Sequence, residues 1–194
     1  MKIHIATSRD IGRKCIAWAL EHMPSGYALT DDPELSDVFI SVMYGHLVSE
    51  DFIAKRKCFN FHPGILPHYR GAGAFSWCII NGEKQCGITL HELDVDIDTG
   101  PIIAIRRFAI EAWDTAETLF TKGMDTIAVL FQEQFAKLLK GDYTATPQEN
   151  GRTYYRKDLR AAMDLTRFVR AFTFEGKPTA FYVNKDGDNV GVTW

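Results

Sequence analysis

The chain has 194 residues, 46% hydrophobic and 24% charged, enough for one core with a small appendage and unlike a disordered or fibrous protein. Its 22 Lys and Arg stand against 25 Asp and Glu, a formal charge of -3, so there is no chain-wide positive field for gripping polyanions, which argues against a nucleic-acid binder. The four cysteines, Cys15, Cys58, Cys78 and Cys86, lack any paired metal or redox spacing; with no signal peptide and no apolar run long enough for a bilayer, they read as reduced thiols of a cytoplasmic protein.

Taken in chain order, residues 2–7 predict a short apolar strand and residues 11–22 a helix, the opening of many α/β folds. A turn-rich acidic piece leads into an apolar strand over 38–42 that stops at Gly45. Ser49 then begins a short helix. Strands follow around Asn60 and His62, over 86–93, and through "GPIIAIRRFAI". The strongest helical pattern is 115–140, where Phe120, Met124, Ile127, Phe131, Phe135 and Leu138 step by three and four. Asp114 with Glu117 predicts a capping box at its start, and Gly141 a stop at its end. From residue 148 the texture changes: Arg152, Arg156, Lys157, Arg160, Arg167 and Arg170 outnumber Asp158 and Asp164. An amphipathic helix capped by Asp164 and a hairpin across an Asp-Gly turn complete the chain. The expected division is a catalytic domain over 1–147 and a substrate or dimer segment over 148–194.

The stretch "FNFHPGILPHY", residues 59–69, carries the chemistry. On a strand, Asn60 and His62 share one face while Phe59 and Phe61 take the other. Pro63 biases His62 toward extended backbone and ends the strand there, at the edge where open α/β sheets hold their sites. The alternating acids Asp94, Asp96 and Asp98 invite a calcium-loop reading, but the positions that need glycine and glutamate hold Thr99 and Ile105, so calcium is rejected and no metal is expected. One of these carboxylates, delivered by a loop, is expected to face His62.

Asn60, His62, the "LPHYRG" loop and "GITLHELDVDIDTGPII", in this order, resemble the folate-dependent formyltransferase family, which includes methionyl-tRNA formyltransferase, glycinamide ribonucleotide transformylase and the sugar N-formyltransferases. The resemblance implies a Rossmann-like sheet flanked by helices. It also implies formyl transfer from 10-formyltetrahydrofolate, with the catalytic Asn, His and Asp falling on Asn60, His62 and Asp98. Those residue types suit the chemistry. Asn60 and His62 supply oriented donors for the developing oxyanion, and Asp98 accepts the amine proton or sets the state of His62. The resemblance places the pteridine between two loops, with Met43, Tyr44, Leu47, Leu93, Val95 and Ile97 as contacts. His91 reads as structural.

The catalytic Asn comes early in this chain, so one strand-helix repeat of the N-terminal half is expected to be missing and the sheet to be smaller; Gly64 stands where the family often has Ser. The tail "FVRAFTFEGKPTAFYV" resembles that of the sugar N-formyltransferases, and too little chain follows the long helix for a tRNA-binding barrel. The expected acceptor is therefore the amine of a nucleotide-linked amino deoxysugar, with His68, Tyr69, Arg70, Arg167 and Arg170 as substrate contacts and arginine pairing with the diphosphate. Apolar residues in the tail would support a homodimer. The rivals are an amino-acid or peptide amine, such as a siderophore ornithine or a carrier-bound residue, a 10-formyltetrahydrofolate hydrolase, and a non-catalytic folate-binding module.

Overall fold

The computed structural model describes residues 1–155, 165–175, 181–183 and 189–191. Its centre is a six-stranded sheet in the order β2-β1-β3-β4-β6-β7. The strands are β1 (Lys2–Ala6), β2 (Ala28–Leu29), β3 (Val38–Val42), β4 (Lys57–His62), β6 (Gln85–Glu92) and β7 (Ile102–Ala109). The first four run parallel, then β6 and β7 alternate in direction. Every residue of β3, "VFISV", is buried, as a parallel strand covered on both faces requires. At the far edge β7 turns Arg106 and Arg107 to solvent, charges that discourage pairing with another chain.

Two helices, α1 (Asp10–Glu21) and α4 (Ala116–Lys140), pack together over one face, and α3 (Ala74–Ile80) lies beside α4. The core between them and the sheet holds Ile3, Ile40, Phe59, Phe61, Ile88 and Leu90, all 1% exposed or less. From α4, Leu119, Ile127, Phe131, Phe135 and Leu138 are buried completely, each stabilising the fold by about 1.5–3 kcal/mol. Phe120 and Met124, expected on this face, lie at its margin.

The start of α4 departs from the expected cap. Thr115 is the N-cap, bonding Thr118 N–H while the Thr118 hydroxyl accepts from the Thr115 backbone, so the box lies one residue later than Asp114 and Glu117. Asp114 is instead buried, accepting from Lys122 Nζ at 2.6 Å and from the Glu111 N–H at 2.7 Å. Burial opposes its charge, but these partners overcome that and hold its pKa below the ordinary value. Gly141 ends the helix in the left-handed region, as expected.

The opposite sheet face carries a smaller apolar cluster, Ala6, Phe39 and Cys58 with Val48, Phe52, Ile53 and Leu93, under the one-turn helix α2 (Glu50–Ile53) that Ser49 caps. The remaining pieces are β5 (Arg70–Gly71), which pairs in parallel with β8 (Thr153–Tyr154), helix α5 (Leu165–Phe172) against α3, and an antiparallel pair β9 (Phe181–Val183) and β10 (Asn189–Gly191). The C-terminal helix and strand pair match expectation; Arg156, Lys157, Arg160, Asp164 and the Asp-Gly turn lie outside the described residues. Among the described residues, no helix is long and apolar enough to cross a membrane.

Candidate active site

Strand alternation sets the site. In β4, Phe59 and Phe61 enter the main core, so Asn60 and His62 emerge on the other face, beside the Phe39–Cys58 cluster. The strand ends at His62, where Pro63 follows. Asp98 reaches both residues from the β6–β7 loop. Its Oδ2 lies 3.2 Å from His62 Nδ1 and accepts the Gly71 N–H at 2.8 Å, while its Oδ1 accepts from Asn60 Nδ2 at 3.3 Å. The backbone of Asp98 is left-handed, φ 54°, a conformation aspartate adopts more readily than most residues.

The other ring nitrogen of His62, Nε2, lies 2.6 Å from the Tyr69 carbonyl. A carbonyl only accepts, so Nε2 carries the proton. Nδ1 then faces a carboxylate, and the Nδ1–Oδ2 contact gains from one further proton held between the two atoms. Complete burial lowers the His62 pKa from its ordinary 6.5, against the raising pull of Asp98; His91 lowers it further. Burial also works against the charge of Asp98, yet His62, His91 and the Gly71 N–H overcome it and hold that carboxyl down to about 2. Burial and His91 thus pull His62 toward the neutral imidazole while Asp98 pulls it toward the imidazolium, and one proton is exchanged at the Nδ1–Oδ2 contact.

His91, read from the sequence as structural, belongs to this constellation. It pairs directly across the sheet with Asn60 and is fully buried. Its Nδ1 donates to the Glu92 carbonyl at 2.6 Å, which leaves Nε2 to accept from Asn60 Nδ2 at 3.1 Å and lie 3.6 Å from Asp98 Oδ1. The strand period gives the face of each residue but not the register that sets His91 opposite Asn60, so sequence alone offers no signal for this pairing.

Gly64 has a steric reason. A Cβ there would sit 2.7 Å from both His62 Nε2 and the Tyr69 carbonyl oxygen and 3.0 Å from the Ala74 Cβ. The bare backbone admits the imidazole against that carbonyl. Gly64→Ala is expected to push the ring off Asp98 and lower turnover by up to about a hundredfold, at a cost of about 1–3 kcal/mol in stability. Steady-state kinetics beside thermal melting checks this; turnover equal to wild type would show that the ring tolerates the methyl.

The loop residues expected around a cofactor divide. Tyr44, Leu47, Val95 and Ile97 are exposed, Leu47 by 87%, an apolar set that a flat aromatic ligand would cover. Tyr44 meets Phe39 edge-on, and Leu93 packs on the same cluster, so both loops converge on the Asn60 face. Met43 differs: it takes a left-handed φ of 54° and packs into the main core.

The expected substrate contacts fare less evenly. His68 is exposed and open to a ligand. Tyr69 is buried, stacked on Tyr154 with its hydroxyl donating to Glu83, while its carbonyl faces His62 Nε2. Arg70 Nε donates to Gln148, and Arg170 donates to the Asp114 and Glu111 carbonyls, fastening α5 to the start of α4. The Arg167 guanidinium lies over Gly82. Sequence cannot separate an arginine that grips phosphate from one that satisfies backbone carbonyls.

An amide, an imidazole and a carboxylate are thus brought together on one face of a mixed α/β sheet, the arrangement from which acid–base chemistry can be run. Residues 28–133 match the family model described as formyl transferase. The chain is 31% identical over 201 residues to the GDP-perosamine N-formyltransferase of Brucella melitensis, covering 92% of this chain and 77% of that protein. A solved Mycobacterium tuberculosis protein, provisionally described as a sugar N-formyltransferase, superposes with a TM-score of 0.84 at 27% identity, covering 98% of this chain and 95% of that one. The fold is shared, at 23% identity and a TM-score of 0.78, by an N-formyltransferase from Helicobacter canadensis in complex with folinic acid and dTDP-3-aminofucose, over 90% of this chain and 81% of that one. The chain belongs to the formyl transferase family and is a formyl-transferring enzyme.

Proposed function

We propose that the enzyme transfers a formyl group from 10-formyltetrahydrofolate to the primary amine of a nucleotide-linked amino deoxysugar, with Asn60, His62 and Asp98 as catalytic residues. The observation that carries the reading is the buried His62–Asp98 contact, which takes one further proton without a metal or a covalent nucleophile. An amine that attacks a formyl carbon must shed a proton, and the departing folate nitrogen must gain one. The pair accepts the first and returns it to the second.

The exposed apolar residues Tyr44, Leu47, Val95 and Ile97 fit the pteridine, whose role is to present an activated formyl group. Both Asn60 N–H groups face protein acceptors, His91 at 3.1 Å and Asp98 at 3.3 Å. Of these, the longer contact with Asp98 is the one exchanged for the formyl oxygen. The sequence expectation that His62 also donates to the oxyanion gives way to a proton-accepting role, because Nε2 is taken by the Tyr69 carbonyl. The acceptor class is supported by the GDP-perosamine N-formyltransferase relative, whose similarity extends over 92% of the chain.

The test is purified protein with 10-formyltetrahydrofolate, with and without a panel of nucleotide-linked amino sugars. Tetrahydrofolate release that requires the amino sugar, with a formyl mass increment on that sugar, is expected. Release without any amine would identify a hydrolase, and release only with an amino-acid or peptide amine would replace the sugar as acceptor. Folate binding without release in any combination would mark a non-catalytic module.

A further inference from the structure

Asp98 holds a left-handed backbone in a loop, a conformation that surrounding contacts must fix. The contacts come from an unexpected place. Gln148, beyond α4 in the segment set apart as a C-terminal extension, donates from Nε2 to the Asp98 carbonyl at 3.0 Å and to the Gly100 carbonyl at 2.6 Å. One amide nitrogen thus ties both ends of the turn that carries the carboxylate. Its Oε1 accepts from Arg70 Nε at 3.0 Å, which fixes the amide orientation. Arg70 precedes Gly71, whose N–H binds the Asp98 carboxylate, and the same backbone pairs with Thr153 and Tyr154. Two-residue strands do not persist alone, so β5–β8 and the Gln148 amide support one another.

We infer that Gln148 is a positioning residue for formyl transfer: oriented by Arg70, it locks the Asp98 loop so that the carboxylate meets His62, Asn60 and the Gly71 N–H together. The expected break at residue 147 therefore falls inside the support of the site. Arg70, expected to touch substrate, acts through Gln148. Among the described residues, the charged or titratable groups that face Asp98 are His62 from β4 and His91 from β6, with the Arg70 guanidinium reaching it through the amide.

This inference rests on the proposed catalytic role of Asp98, and its test separates the two. Gln148→Leu keeps the bulk and removes both donors. Gln148→Glu keeps an acceptor for Arg70 but sets a carboxylate against two carbonyls. Arg70→Met leaves the amide in place but unoriented, and should fold if the others do not. Turnover is expected to fall by up to about a hundredfold in the Gln148 variants and less in Arg70→Met, with KM for both substrates within about twofold. Titration of the Asp98 carboxyl by carbon NMR reads position without any turnover; Gln148→Leu alters no charge, so its midpoint decides, and it is expected to rise as the loop drifts from Gly71 and His62, whereas the other two variants also move it by charge alone. An unmoved midpoint overturns the inference, whether or not turnover falls. A risen midpoint with lost turnover supports it. If Asp98→Asn itself proves fully active, the catalytic reading of Asp98 fails, while a risen midpoint would still establish the lock.

Discussion

Replacing Asp98 by Asn leaves the protein folded and lowers turnover by about a thousandfold. The side chain touches His62, Asn60 and the Gly71 N–H, and an amide of the same shape still offers an oxygen to Gly71. What it loses is charge. The folded carboxyl titrates near 2 against an ordinary 3.8, so ionisation favours the fold above the ordinary value, and that advantage fades as pH drops toward 2. Its size is about 2 kcal/mol, equivalent to a melting shift of several degrees. A thousandfold in turnover corresponds to about 4 kcal/mol of barrier, so catalysis should suffer more than stability. Turnover within tenfold of wild type, assayed well below the melting midpoint, would sink the role; a collapse of the melt with proportionate loss of activity would make Asp98 a structural residue.

Much of the fold was legible because it rests on short-range patterns. The apolar runs of β1 and β3, the three-and-four spacing of α4 and the Ser49 and Gly141 signals all report local geometry. Asn60 and His62 were legible together because strand alternation and Pro63 fix where they point. Asp98 could be chosen among three alternating acids only through the family motif. What stayed hidden depends on pairing. His91 joins the site because β6 sets it opposite Asn60, and Tyr69 and Arg170 have protein partners that spacing does not show: Glu83, Tyr154 and two backbone carbonyls. The one-residue shift of the α4 cap has a similar origin: burial and the Lys122 ammonium draw Asp114 inward, and Thr115 takes its place. A polar side chain's partner is a tertiary fact, and sequence spacing carries little of it.

His62→Ala is expected to lower turnover by a similar factor while leaving folate affinity near wild type, since the ring is 3% exposed and the exposed apolar residues lie on the loops around it. Stability should fall too, by about 1–3 kcal/mol at neutral pH, because the Tyr69 carbonyl loses its donor inside the protein. The pH dependence of that loss decides the charge state. Burial lowers the folded His62 pKa below 6.5, so below that pH the unfolded chain binds more protons than the native one, and wild-type stability declines as pH falls. The variant lacks this liability. The stability gap between the two should therefore narrow from pH 7 to pH 5 in urea unfolding, and the acid limb of wild-type kcat/KM should lie below 6.5, since a pair that already holds the extra proton cannot accept the amine's. A gap that widens instead would mean that Asp98 and the Tyr69 carbonyl outweigh burial and that His62 rests as an imidazolium. The amine would then have to find another base, leaving His62 to act as an acid toward the departing folate nitrogen.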